Sequence, residues 1–182
     1  MKTNIKCYIL TVLMYFLCIQ CFSYTPKDSC FMVKVKEIRL SKKIHENREG
    51  GLYTFCNIRI DLKNNCDSNI SFWQLDCYWQ ASFFTDNEKL SIQSESCSYN
   101  PTMLKKVKHG MSISYNGILH VKIDSNQTSR MKFRIGFINL GEKEYHLGES
   151  IIQALRNRKV ERRGIIWSKE YYLKIRRYKK SK

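Results

Sequence analysis

The chain has 182 residues, of which 43% are hydrophobic, and its formal net charge is +16. With only two prolines, no internal repeat and no low-complexity linker, it offers no internal domain boundary and favours one globular unit. The charge is uneven, because residues 156–182 contain 12 Lys or Arg and two Glu, a net of +10, whereas residues 24–155 carry a net of +4. The basic character therefore belongs mainly to the C-terminal segment.

Residues 1–23 have the pattern of an export signal. Two lysines give a positive start, an apolar run extends from Cys7 to Phe22, and cleavage is expected after Ser23. The run is shorter than the roughly 20 residues that span a bilayer, and no second run follows. We expect an exported protein (periplasmic, at the cell surface or secreted) with a domain over 24–176 and no transmembrane span in the mature chain. A retained signal anchor is the alternative.

Apolar and polar residues alternate along several segments, as is typical of half-buried strands. The alternation predicts strands at residues 31–35, 54–62, 111–115, 119–123, 131–137 and 164–176. Asn116-Gly117 predicts a two-residue hairpin, because both residues tolerate positive φ. A short amphipathic stretch near 149–159 predicts a helix, with basic residues in its last turn.

The number and spacing of these segments predict an all-β protein, built as a single antiparallel β-sandwich. A barrel is the alternative. The sandwich is expected to be immunoglobulin-like in shape. It lacks the immunoglobulin cysteine signature, because no cysteine lies beyond Cys97.

An aromatic run, FWQLDCYWQASFF, occupies residues 72–84. Read as a strand, it places six residues on one face: Trp73, Leu75, Cys77, Trp79, Ala81 and Phe83. We interpret this face as core rather than as a ligand platform, because a domain needs it for burial and each large ring buries about 150–250 Å². Asp76 falls on the opposite face and is expected to point to solvent. The search for function therefore moves to the loops and the basic C-terminal segment.

Two of the five cysteines that remain after signal removal predict a disulfide. Cys77 and Cys97 lie symmetrically about Asn87, at the centre of the turn TDNEK. If that turn joins two strands of a hairpin, the two cysteines face each other. A bond closing this loop would stabilise the fold by roughly 3 kcal/mol in the chain-entropy model.

The pairing of the other three cysteines stays open at this point. Cys30 can bond either Cys66 or Cys56, whereas a Cys56–Cys66 bond is disfavoured, since an extended strand would separate the two by about 20 Å. One thiol must remain unpaired or bond another chain. No two cysteines have the spacing of a zinc knuckle, and the four histidines are scattered, so no metal site is expected.

Motifs that carry catalysis are missing from the sequence. We find no nucleophile elbow, no His-Glu-x-x-His and no Gly-rich phosphate loop. We therefore predict a protein that is not an enzyme and uses no cofactor, with an unrecognised enzyme as the minor alternative. Sequons occur at Asn69 and Asn126, and whether they are used is left open.

Several stretches resemble a known group of proteins. These are ISFWQLDCYWQ at 70–80, Cys97 followed by Asn100-Pro101, RIGFINL at 134–140 and GIIWS at 164–168. Together they resemble small exported bacterial proteins with a tryptophan- and cysteine-rich strand. The resemblance covers roughly residues 50–170 and implies an exported single-domain protein, with no activity attached.

Two functional hypotheses follow. In the first, the sandwich binds a protein or another envelope component through loops or a sheet face. In the second, a basic segment that includes the tail 177–182 anchors the domain on an anionic membrane or polysaccharide. Nucleic acid is not an expected partner of an exported protein. The residues that would bind the anionic surface are Lys174, Arg176, Arg177, Lys179, Lys180 and Lys182.

Overall fold

The computed structural model of the chain describes residues 30–41, 43–48, 50–94, 100–123, 130–143, 145, 150–162 and 164–175. Over these ranges the protein is mostly β, with open antiparallel sheets and one short α-helix, so the all-β prediction is confirmed. The strands are β1 (Phe31–Leu40), β2 (His45–Glu46), β3 (Leu52–Asn64), β4 (Ile70–Leu75), β5 (Phe83–Thr85), β6 (Leu90–Gln93), β7 (Thr102–Val107), β8 (Ser112–Ile123), β9 (Arg130–Phe133), β10 (Ile135–Ile138), β11 (Ile165–Trp167) and β12 (Tyr171–Lys174). Helix α1 spans Ile151–Glu161, and a 3-10 helix spans Trp79–Ser82.

The largest sheet has the strand order β1-β3-β8-β6, and β2 also pairs with β3. β3 is its central strand, paired antiparallel with β1 on one side and with β8 along Leu52–Lys63 on the other. The apolar residues that alternation placed on one face of β3 are all buried: Cys56, Ile58, Ile60 and Leu62. The period-two pattern therefore identified the inward face of this strand correctly.

The hairpin predicted at Asn116-Gly117 is not formed. Both residues lie inside β8, opposite Arg59 and Ile58 of β3, and neither has a positive φ. Gly117 meets a different requirement, because a Cβ at this position would lie 2.8 Å from Cη2 of Trp79. The missing side chain makes room for a tryptophan ring against the sheet.

Two segments predicted as single strands are each broken into two. Residues 131–137 divide into β9 and β10 at Arg134, and residues 164–176 divide into β11 and β12 after Trp167. β9 pairs with β12, whereas β10 pairs with β11 and β5. At the break, the Ile135 N–H donates to Ser168 Oγ (2.9 Å) and the Ser168 N–H donates to the Ile135 carbonyl (2.8 Å). These two hydrogen bonds join the two segments at the point where both pass from one sheet to the next.

The main core takes residues from the large sheet and from all three smaller sheets: β11-β10-β5, β12-β9 and β4-β7. Rings from four strands meet in it, with centroids 5.1–5.6 Å apart, and these are Phe31, Phe72, Phe83 and Phe137. A second apolar cluster packs α1 against β4 and β10 through Ile151, Leu155 and Leu75, among others. The predicted helix is confirmed, two residues further along the chain than expected, and its C-cap, Arg162, has the left-handed conformation (φ 54°).

The aromatic run is not one strand. β4 ends at Leu75, and the N–H groups of Cys77 and Tyr78 donate to Asn100 Oδ1 (3.1 Å each), which stabilises a turn ahead of the 3-10 helix. At the start of the run, the prediction of which side chains face the core is therefore wrong. Phe72 and Gln74 are fully buried, whereas Trp73 is only half-buried.

The later part of the run does belong to the core. Trp79 is 9% exposed and packs against Tyr115 of β8, with ring centroids 5.0 Å apart. Asp76 is exposed, as expected, but it lies in the turn and forms an ion pair with Lys105 (2.8 Å). The core interpretation holds for Trp79 and Phe83, whereas Trp73 packs beside Tyr145 at the edge of the second cluster.

The hairpin assumed for the Cys77–Cys97 bond is also not formed, since β5 pairs with β10 and β6 pairs with β8. Cys77 takes part in a disulfide. Cys97 lies outside the described residues, so this pairing stays a prediction. Cys30 bonds Cys66, one of the two options left open by the sequence, and a disulfide is compatible with an exported protein.

Cys56 carries a free thiol in the middle of β3. It is completely buried, and burial raises its pKa to about 11 despite a backbone hydrogen bond with Arg39 that lowers it. A thiol in this state is inert, because the thiolate is the reactive species.

Replacing Gly117 by Ala should lower the free energy of unfolding by about 1–3 kcal/mol, because the new Cβ overlaps the Trp79 ring. Denaturant unfolding followed by circular dichroism measures the change. Ser112→Ala, at an exposed position of the same strand, is the matched control and should change stability by less than about 0.5 kcal/mol. Unchanged stability in Gly117→Ala would contradict the close approach of Trp79 to β8.

In the mature chain without reductant, a thiol reagent at pH 8 should leave Cys56 unmodified in the native state and label it after unfolding in denaturant. Mass spectrometry of peptides locates the label. Rapid labelling of native Cys56, or a dimer linked through it, would contradict the buried position. The same peptide map reports whether Cys77 is bonded to Cys97.

Candidate functional site: an aromatic face on the large sheet

Four ring side chains lie together on the outward face of the large sheet. Tyr53 and Phe55 alternate along β3 with Thr54 and Cys56, which are buried on the inward face. In the register of the sheet, His45 of β2 lies opposite Tyr53, and His120 of β8 lies opposite Phe55. We call His45, Tyr53, Phe55 and His120 the aromatic face.

The rings of the aromatic face contact one another. Tyr53 is central: its ring centroid lies 5.4 Å from that of His45, 5.4 Å from that of Phe55 and 4.8 Å from that of His120. Phe55 also contacts both imidazoles, at 5.4 and 5.6 Å. All four side chains are half-buried, so each covers part of its neighbours and leaves the rest of its ring to solvent. Cross-strand contacts of this kind add stability to the sheet and fix the rings in place.

The rim of the aromatic face is polar. Lys122 lies opposite Tyr53 in the register, and Asn57, two residues after Phe55, lies on the same face of β3. Both rim residues are exposed. An apolar centre of fixed rings within a polar rim is the arrangement found in protein–protein interfaces.

Burial, followed by the nearby positive charge of Lys122, lowers the pKa of His120 below its ordinary value. Within the part of the chain that the structure describes, no hydrogen bond joins either imidazole to a hydroxyl, thiol or carboxylate. The aromatic face leaves ring surface and two imidazoles open to solvent, and the described residues assemble no acid–base pair around them.

A carboxylate lies further along the same outward face. Asp61 accepts hydrogen bonds from Ser114 (2.8 Å) and Arg59 (3.2 Å) and pairs with Lys36 (3.0 Å). Burial would raise the pKa of Asp61, but the bonds with Lys36 and Ser114 outweigh this effect and the pKa lies below its ordinary range. The three partners occupy the carboxylate, so Asp61 joins β1, β3 and β8 rather than facing a ligand.

Of the six basic residues predicted to bind an anionic surface, Lys174 is the one that the structure describes. It is exposed in β12, opposite Arg130 of β9, and lines a cavity of about 370 Å³ together with Leu40, Ile44 and other residues. The other five lie outside the described residues: Arg176, Arg177, Lys179, Lys180 and Lys182.

The described ranges contain neither a membrane-spanning helix nor a metal-binding cluster. Within them, no helix combines the length and apolar character needed to cross a bilayer. Within the same ranges, no cluster of three or more His, Cys, Asp or Glu side chains could hold a metal ion.

Sequence reasoning did not identify the aromatic face, although part of its signal was present. The alternation over 119–123 puts His120 on the polar side of its strand, and the alternation over 54–62 puts the odd-numbered residues on the polar side. Extending that strand to Leu52, where β3 begins, would have placed Tyr53 and Phe55 outward as well. The pairing of β3 with β2 and β8, which brings the histidines alongside, is not encoded in local alternation.

No protein-family model matches the chain, and neither the curated proteins nor the solved structures contain a significant match. The resemblance to small exported bacterial proteins therefore stays a prediction.

Because the pKa of His120 is lower in the folded state, the fold favours the neutral imidazole. This contribution is present above the unfolded pKa of about 6.5 and is lost as the pH falls through the folded pKa. The free energy of unfolding should therefore fall more between pH 7 and pH 5 in the wild type than in His120→Gln, as measured by urea unfolding. Lys122→Gln removes one cause of the shift and should give an intermediate fall. Equal falls in all three proteins would contradict this account.

Proposed function

We propose that this protein is a non-enzymatic binding protein of the exported fraction, and that it takes a protein partner on the aromatic face. We further propose that its sheets form a single β-sandwich that serves as the scaffold. The sandwich is supported by the main core, which collects residues from the large sheet and from all three smaller sheets. Residues 1–29, which include the predicted export signal, lie outside the described residues, so export is part of the proposal.

The observation that carries the proposal is the set of four mutually packed rings on the solvent side of β3 and β8. The inward side of these strands supplies the core, so the domain does not need the outward rings for its own burial. Rings fixed by their neighbours lose little conformational entropy on binding, and aromatic residues dominate the energetics of protein interfaces.

A protein partner fits this surface better than a flat anionic one. The centre of the face is apolar, and its described rim supplies one cation, Lys122, beside the neutral Asn57. This is fewer than the cluster of basic residues that binds an anionic membrane. An aromatic centre with a polar rim suits a protein partner that has its own apolar patch.

The test uses the mature chain as bait for crosslinking in the native envelope, followed by expression of the captured protein and a direct binding measurement. Tyr53→Ser should weaken binding of the purified partner by about thirtyfold, corresponding to a hot spot of about 2 kcal/mol. Tyr172→Ser, which removes an exposed tyrosine from β12, is the matched control and should leave affinity unchanged.

Equal affinity of the wild type and Tyr53→Ser for every captured protein would overturn the proposal. The proposal would also be overturned if the wild type bound an envelope polysaccharide rather than a protein and Tyr53→Ser lost that binding. Unfolding midpoints of both variants are compared with the wild type, so that a loss of affinity is not a loss of folding.

The electrostatic anchor is the alternative proposal. It is supported by the net charge of +10 over residues 156–182 and by the exposure of Lys174. A variant without residues 177–182, included in the same envelope experiment across a salt series, separates the two functions. An anchor requires salt-sensitive association that this deletion abolishes, whereas binding through the aromatic face survives it.

A further inference from the structure

A second concave surface lies away from the features used so far. It is a cavity of about 450 Å³ between the sheet β11-β10-β5 and the last turn of α1. The side chains that matter for its chemistry are three cations, one carboxylate and two aromatic rings: Arg134, Lys159, Arg162, Asp86, Phe84 and Trp167. We call this cavity the cationic groove.

The floor of the cationic groove is made by two rings across a glycine. Phe84 of β5 and Trp167 of β11 both lie opposite Gly136 of β10. Their centroids are 5.0 Å apart, and a Cβ on Gly136 would lie 2.9 Å from Cζ of Phe84. The glycine therefore allows the two rings to approach each other over the middle strand.

Each of the two rings makes a cation–π contact with one basic side chain. The guanidinium of Arg134 lies 4.8 Å from the centroid of Trp167, and Nζ of Lys159 lies 5.0 Å from that of Phe84. Cation–π contacts of this kind restrict where the charges sit without neutralising them. Arg162 adds a third cation directly after α1, at an exposed position.

Asp86 fixes the orientation of Arg134. Its carboxylate accepts the Arg134 backbone N–H (2.6 Å) and Nε–H (2.7 Å). Burial would raise the pKa of Asp86, but these bonds with Arg134 outweigh it and the pKa lies below its ordinary range. The bond uses Nε, so both Nη groups remain as donors, and no described residue accepts from them.

The charges of the groove do not balance. Three cations face one carboxylate, and that carboxylate is committed to Arg134. Among the residues that the structure describes, neither Lys159 nor Arg162 has an acidic partner. A concave site with excess positive charge attracts anions more strongly than a flat surface with the same charges.

We propose that the cationic groove binds a phosphate or sulfate group, with Arg134, Lys159 and Arg162 as its donors. An oxyanion of this type accepts several charge-assisted hydrogen bonds at once, and a guanidinium matches its geometry with two parallel donors. The volume of about 450 Å³ accommodates the anion together with part of the molecule that carries it. The inference is independent of the aromatic face.

The test is a titration of the full mature chain with inorganic phosphate, and separately with sulfate, at constant ionic strength maintained by chloride. Calorimetry gives the affinity, and the indole resonance of Trp167 in NMR spectra reports binding at the groove. We expect saturable binding that the double variant Lys159→Gln/Arg162→Gln weakens by at least about tenfold, the loss expected from removing charge-assisted hydrogen bonds. Lys159→Arg should retain affinity, because the charge and its contact with Phe84 are kept.

The matched control is Lys108→Gln/Arg156→Gln, which removes the same charge from two exposed positions that do not line the groove. It should bind phosphate as the wild type does. An equal loss in both double variants would mean that only overall charge matters and would overturn the proposal, as would the absence of saturable binding. All four altered residues are exposed, so the unfolding midpoints should be unchanged and are measured for every variant.

Two further arms identify the molecule that carries the anion. Dextran sulfate is compared with dextran, and vesicles containing phosphatidylglycerol are compared with phosphatidylcholine vesicles. The basic C-terminal segment also attracts polyanions, so only the part of the binding lost in the groove variant is assigned to the groove. Loss with dextran sulfate indicates a sulfated saccharide, and loss with the anionic vesicles indicates a lipid headgroup. Loss with inorganic phosphate alone indicates a small free anion.

Discussion

The pairing of β3 with strands on both sides determines both the interior of this protein and the surface proposed to bind a partner. Along β3, Ile60 and Leu62 point into the core, whereas Tyr53, Phe55 and Asp61 point outward. Because side chains alternate with a period of two, a slip of one residue against β8 would exchange these two sets. The register that builds the core therefore also positions Tyr53 and Phe55 beside the histidines of β2 and β8. A change that shifted this register would therefore disturb both faces together.

The break between β9 and β10 plays a comparable role for the cationic groove. Arg134 lies at the break, and its backbone N–H donates to Asp86 instead of to a neighbouring strand. Next to this break, the guanidinium of Arg134 lies over the ring of Trp167 in β11. The cationic groove therefore lies where the backbone bends between two short sheets. The bend contributes to its concave shape, and Arg134 at the bend contributes to its charge.

Local alternation predicted the inward residues of β3 and the short helix, because both depend on neighbours in sequence. The features that depend on distant residues were missed. Asn116-Gly117 has the composition of a turn, yet Gly117 is needed because Trp79 approaches the sheet there. The choice between Cys56 and Cys66 as the partner of Cys30 depends on the pairing of β1 with β3. Both candidate surfaces are likewise built from strands distant in sequence, so no single segment contained either one.

The disulfide between Cys30 and Cys66 has a mechanical consequence. Cys30 directly precedes β1, and Cys66 follows the end of β3, with Phe31 and Asn64 as the first pair between the two strands. A pull on the chain ahead of Cys30 is therefore transmitted through the covalent bond to the far end of β3, and the hydrogen bonds between β1 and β3 are not opened one after another. A domain built this way resists peeling from that end.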